Sequence, residues 1–166
     1  MAIERRAIVG AACAIALPAL AHSDKPHQAT PLSKEQKAWG IAAEPQAAQR
    51  TVVVTMTDAM RFTPDAIDVK LNQTVRFDIR NNGRMLHEMV IGTAKELEDH
   101  AALMQKFPNM EHDEPYMAHV KPGQTGAIVW TFNRAGDFDF ACLIAGHYQA
   151  GMVGMVKVAP AASKTK

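Results

Sequence analysis

Cysteine, aromatic rings and net charge are all scarce in this 166-residue chain. It has two Cys and 6% aromatics, and its 18 Lys and Arg against 17 Asp and Glu give a formal net charge of +1. That balance argues against a nucleic-acid binder, which carries a clearly basic face. Long apolar runs are missing too. The longest, Ala7 to Leu17, spans 11 residues, too few to cross a bilayer. With 48% hydrophobic and 21% charged residues, the composition is neither disordered nor collagen-like. The length fits one domain with tails. What the chain has in excess is methionine (10) and histidine (7).

The N-terminus reads as a secretory signal peptide over residues 1–21. Glu4-Arg5-Arg6 precedes the apolar run, and Ala19-Leu20-Ala21 supplies the small-residue cleavage pattern. Sec export is preferred to the twin-arginine route, because Glu4 precedes the arginine pair and no Phe-Leu follows it. Cys13 falls in the apolar run and leaves with it. The expected mature protein is periplasmic, monomeric and without a membrane span, and it has no net formal charge. Its one cysteine is Cys142. A single Cys forms no internal disulfide, and a free thiol is a liability in an oxidising compartment. Metal ligation is one reason to keep it.

Residues 22–50 read as a flexible N-terminal tail, in which Trp39-Gly40-Ile41 is the one stretch apt to pack on the domain. From Thr51 to residue 159 short strands recur between turns. Val52 to Thr55 is β-branched, and Ile67 to Leu71 and Val75 to Ile79 alternate. His87, Met89 and Ile91 share one parity, as do Phe138, Phe140 and Cys142. Thr93 and Glu96 form a capping box, and Leu97, Ala101 and Met104 repeat at helical spacing, which predicts a helix closing before Pro108. The expected fold is all-β, a Greek-key β-sandwich with a helix-bearing insertion at about 93–118. Residues 160–166 form a C-terminal tail.

The chemistry concentrates in Cys142-x4-His147-x4-Met152. Parity points Cys142 inward beside Phe140 and aligns Met152 with Gly154, Val156 and Val158, while His147 lies on the loop between. One hairpin thus aims a thiolate, an imidazole and a thioether at one point. That mix suits copper, with two His and a Cys in a plane and a weak axial Met. The second His is His87, which opens a strand after a turn. Met155 is the rival axial donor, but parity turns it outward. The bland alternative makes Cys142 a buried hydrophobe, Met152 core filler and His147 a surface residue.

These residues resemble the cupredoxins, the plastocyanin–azurin family of mononuclear type 1 copper proteins, over roughly residues 51–159. Asn81-Asn82-Gly83 leading to His87 resembles the family's approach to its first His ligand. Cys142, His147 and Met152 match the longer C-terminal ligand loop of auracyanin- and rusticyanin-like members. Met60 to Pro64, His87 to Gly92 and Gly146 to Met152 look most like the exported cupredoxins associated with bacterial copper tolerance. The resemblance implies one copper cycling between Cu(I) and Cu(II), and electron transfer. One departure is Glu88, where many members place an Asn or Ser that braces the ligand loops. Parity turns Glu88 away from the core, leaving Thr131 or a backbone amide as the brace.

His100, Met104, Met110, His112, Met117 and His119 crowd into the insertion. One reading is a second copper site on Met110, His112, Met117 and His119, since thioethers favour Cu(I) and imidazoles accept Cu(II). The other places Met104 in the helix's apolar face, His112 in solvent and His119 on a strand face. After cleavage, the α-amine and imidazole of His22, with His27 near, could chelate Cu(II), but a solvated tail is the preferred reading.

Two functions fit one site: a copper-tolerance protein that sequesters or passes on copper, and a dedicated electron carrier between respiratory-chain proteins. Either needs a transient redox or copper-transfer protein partner, and Leu143, Ile144, Ala145 and Tyr148 are the expected apolar docking patch around His147. A copper enzyme is not expected, because the mature chain lacks His-x-His and Cys142 is flanked by Ala141 and Leu143. A zinc site would more often use further Cys, His or a carboxylate than a Met.

Overall fold

The computed structural model describes residues 32–108, 110 and 112–160. The signal peptide expected at 1–21, His22, His27 and residues 161–166 lie outside the described residues. No described helix is long and apolar enough to cross a membrane.

Alternation of apolar and polar residues, with the apolar set turned inward, builds two five-stranded sheets. The first runs β1 (Ile41–Ala42), β8 (Thr125–Phe132), β5 (Gln73–Asn81), β2 (Arg50–Thr57), β3 (Arg61–Thr63). The second runs β4 (Ala66–Lys70), β10 (Val153–Ala159), β9 (Gly136–Ala141), β6 (His87–Gly92), β7 (Met117–Val120). β2 pairs with β5 and β4 with β10 in parallel, and the other neighbours are antiparallel. The all-β Greek-key sandwich expected from the sequence is the observed fold. Between the sheets Val54, Met56, Phe77, Ile79, Ile128, Trp130 and Phe132 meet Met89, Ile91, Phe140, Val156 and Val158, all essentially without solvent access.

The insertion forms α1 (Ala94–Lys106), and both hydrogen bonds of the Thr93–Glu96 capping box are present. Leu97, Ala101 and Met104 bury against Val90, Met117, Ala141 and Leu143. The helix therefore roofs the outer face of the second sheet. All six residues of β6 are buried, so this strand has no solvent face.

The segment expected as a tail over 22–50 is built into the sandwich along its described part. β1 pairs with Trp130 and Thr131 of β8, and the Ala43 amide donates to the Val129 carbonyl at 3.1 Å. Trp39 is 3% exposed, lies against Trp130 at 6.4 Å and meets Tyr116 edge-on at 5.5 Å. Gly40 permits this approach. Its φ is +139°, and a Cβ there would fall 2.2 Å from the Thr131 carbonyl oxygen. Proline content made the segment read as loose, whereas burial of one large indole outweighs the entropy of ordering it. Trp39→Ala is expected to lower unfolding stability by about 3–5 kcal/mol, read as a shift in the urea midpoint. A change within ~0.5 kcal/mol would mean that the segment only rests on the sheet.

Candidate metal centre

His87 is held from two sides. Asn81, the last residue of β5, donates from Nδ2 to the carbonyls of Met85 and Val120, both at 2.8 Å, and its Oδ1 accepts the Gly83 amide at 2.8 Å. Asp58 accepts the amides of Arg84 at 2.8 Å and Met85 at 3.2 Å. Its Oδ1 lies 3.0 Å from His87 Nε2. These donors, led by the Arg84 amide and the His87 ring, hold the Asp58 carboxyl below its ordinary pKa. As acceptor, the carboxylate fixes the proton on Nε2 and leaves Nδ1 with its lone pair. Nδ1 is buried and has no hydrogen-bond partner among the described residues. Gly83 makes room for this carboxylate, since a Cβ there would sit 2.1 Å from Asp58 Oδ1. The sequence reading missed Asp58, whose only signal is an Asp at a turn.

Cys142 follows β9 and is fully buried. Its amide donates to the Met152 carbonyl at 3.1 Å, and the Met152 amide donates to the His147 carbonyl at 3.1 Å, so the ligand loop closes on itself. Arg61 Nη1 also donates to the carbonyls of Ala150 and Gly151, at 3.0 and 3.3 Å. Cys142 Sγ lies 3.2 Å from His147 Nδ1 and accepts the Glu88 amide at 3.4 Å. The His87 and His147 ring centroids are 4.9 Å apart. One donor atom each from His87, Cys142 and His147 falls within 4.8 Å of the others.

Burial pushes the Cys142 thiol up to about 12, and the Glu88 carboxylate adds to the shift, while the amides of Glu88 and Ile144 oppose it. Burial, then the nearby His87, holds His147 below its ordinary value and so keeps the ring neutral. The site thus combines two imidazole nitrogens, one of them orphaned, with a buried sulfur whose thiolate a cation would stabilise. A copper ion fits this donor set. Met152 has no solvent access and packs in the main core, whereas Met155 is 44% exposed.

Glu88 differs from its expected place. Parity does put it opposite His87, but the face it points to lies under the insertion, and Glu88 is only 2% exposed. Its Oε1 accepts the Leu143 amide at 2.9 Å, and its Oε2 lies 2.6 Å from His119 Nε2. Glu88 therefore ties the strand of His87 to the loop of His147, a bracing that Thr131 does not perform, since its hydroxyl pairs with Thr74 at 2.8 Å. Leu143 also departs from expectation. It is 1% exposed and belongs to the cluster under α1, while Met85 and Leu86, each about 40% exposed, flank the site instead.

In the insertion, the His100 and His112 ring centroids lie 4.6 Å apart and those of His112 and His119 6.3 Å. Met110 is exposed, and Met104 and Met117 are buried against the sheet. The candidate set Met110, His112, Met117 and His119 is therefore split between loop, core and strand, and His100 joins its histidines.

Residues 48–159 match the family model described as copper binding proteins, plastocyanin/azurin family. The chain is 49% identical over 120 residues to the copper-resistant cuproprotein CopI of Rubrivivax gelatinosus, covering 72% of this chain and 73% of that one. It is 35% identical over 153 residues to the protein of the same name from Pseudomonas aeruginosa, covering 75% and 84%. Among solved structures, auracyanin B shares the fold, with a TM-score of 0.60 and 21% identity over 75% of this chain and 97% of its own.

The raised thiol has a consequence for the metal-free protein. In the unfolded chain Cys142 ionises near 9.0, but in the folded chain only near about 12. The stability this contributes is fully present below the lower value and is lost as pH rises through the higher one, by up to about 1.4 kcal/mol per pH unit. Urea midpoints of the metal-free protein should therefore fall more steeply above pH 9 than those of Cys142→Ala. Equal slopes would mean that the sulfur is not desolvated.

Proposed function

The chain belongs to the plastocyanin/azurin family of copper-binding proteins, and we propose that it is an exported, periplasmic copper-tolerance protein. Its single type 1 copper is held by His87, Cys142 and His147, with Met152 as the weak axial donor. The observation that carries the ligand assignment is the buried His–Cys–His cluster with its orphaned His87 Nδ1. Exposed Met155 is a poor axial candidate beside fully buried Met152. The tolerance role is supported by the likeness to two proteins named copper-resistant. Bound copper supplies one-electron chemistry. The chain's own part is to hold the donors, through Asp58 on His87, Glu88 between strand and loop, and Arg61 on the loop carbonyls.

A second reading, single-electron transfer with a redox partner, is favoured by one feature. Met85, Leu86 and Ile144 put partly exposed apolar surface beside the ligand residues, as a small transient interface requires. Both roles use a protein partner and no catalytic residue. Exchange separates them: a copper handler gives its metal to an acceptor, whereas a carrier keeps it through many oxidations and reductions.

Cys142→Ser is expected to abolish the intense charge-transfer colour of the Cu(II) protein, because a serine oxygen is a hard, poorly donating ligand. Met152→Leu should keep the colour and raise the reduction potential, while Met155→Leu should leave both unchanged. A potential that moved with Met155 and not with Met152 would reverse the axial assignment.

A further inference from the structure

We propose that the chain carries a second copper site, outside the type 1 centre, built on His100, His112 and His119 between α1 and β7. The three residues arrive there from independent elements. The Thr93–Glu96 cap and the buried face of Leu97, Ala101 and Met104 fix the rotation of α1, and with it His100. The register of β6 with β7 sets His119 opposite Glu88. His112 comes from the connecting loop, with its ring 4.6 Å from that of His100 and 6.3 Å from that of His119.

Three observations point to a ligand. Both ring nitrogens of His112 are buried with no hydrogen-bond partner among the described residues. A buried nitrogen without a partner is unfavourable, and a bound metal relieves one of them. The Glu88 carboxylate, 2.6 Å from His119 Nε2, orients that ring and brings a buried negative charge toward a cation, as the carboxylate behind a metal-binding histidine does. A cavity of about 820 Å³ adjoins the His112 and His119 rings, with Met104, Met110 and Met117 also in its wall. Imidazoles alone would accept zinc, and it is the thioethers of this wall that select copper, Cu(I) above all.

The site is not preformed. Among the described residues, the only His, Cys, Asp or Glu trio with donors within 4.8 Å of one another is the type 1 set. The second site therefore closes on its metal and binds it more weakly than the buried centre, as a transfer site would.

Copper binding by the mature protein under excess Cu(I) tests this. The wild type should take up two coppers, and the His100→Asn/His112→Asn double variant one, with its type 1 absorption band unchanged after oxidation. That band also reports that the variant is folded. Cys142→Ser should show the converse, losing the band and keeping the second copper, so failure of the type 1 reading is seen separately. Imidazole NMR spectra of the wild type with Ag(I), a diamagnetic stand-in for Cu(I), should shift the rings of His100, His112 and His119. One copper in the wild type would overturn the proposal. So would a second copper that persists in the folded double variant, or a site that takes zinc in preference to Cu(I).

Discussion

A carboxylate with almost no access to water has to be met by donors, and Glu88 is met by the Leu143 amide on one oxygen and the His119 ring on the other. Three parts of the molecule converge on this side chain: the strand that opens with His87, the loop that carries His147, and the strand that follows the insertion. Its own amide adds a third contact, to the Cys142 sulfur. The carboxylate is buried because α1 covers the outer face of the second sheet, so the insertion belongs to the metal centre as much as the ligand loop does. Apolar roofing alone would leave these parts to pack separately, whereas a shared, geometrically demanding acceptor ties them together.

The inner side of the same strand shows the complementary arrangement. His87 is fixed by Asp58 through one nitrogen, and the other nitrogen and the Cys142 sulfur are left in an environment that disfavours both an unpaired lone pair and an isolated negative charge. A cation at this point answers both penalties together. The protein thus brings its donors together in advance, and the metal does not have to reorganise the scaffold to find them.

Much of this was legible in the sequence, for identifiable reasons. Strand parity is local, so the inward direction of Cys142 and the outward direction of Met155 could be read from alternation alone. The Thr93–Glu96 box and the spacing of Leu97, Ala101 and Met104 fixed the helix in the same way. What could not be read locally depended on what covers each face. Glu88 does point away from the inner core, but nothing in its own strand reveals that α1 lies over the other side. Leu143 was mistaken for surface for the same reason. Asp58 reaches His87 across 29 positions of sequence, and no spacing rule connects them. Trp39 was the one cue that the proline-bearing segment before the domain was anchored.

That anchored segment also covers one edge of a sheet. β8 has eight residues rich in β-branched and aromatic side chains, and only its pairing with β5 occupies one of its two edges. An unpaired edge of this length offers a row of amides and carbonyls to any other strand. β1 takes up the positions beside Trp130 and Thr131, Ala43 takes the carbonyl of Val129, and Lys34, Glu35 and Lys37 set charge just ahead of them. A form of the protein trimmed past Ala43 would present that edge bare, open to edge-to-edge pairing with another strand.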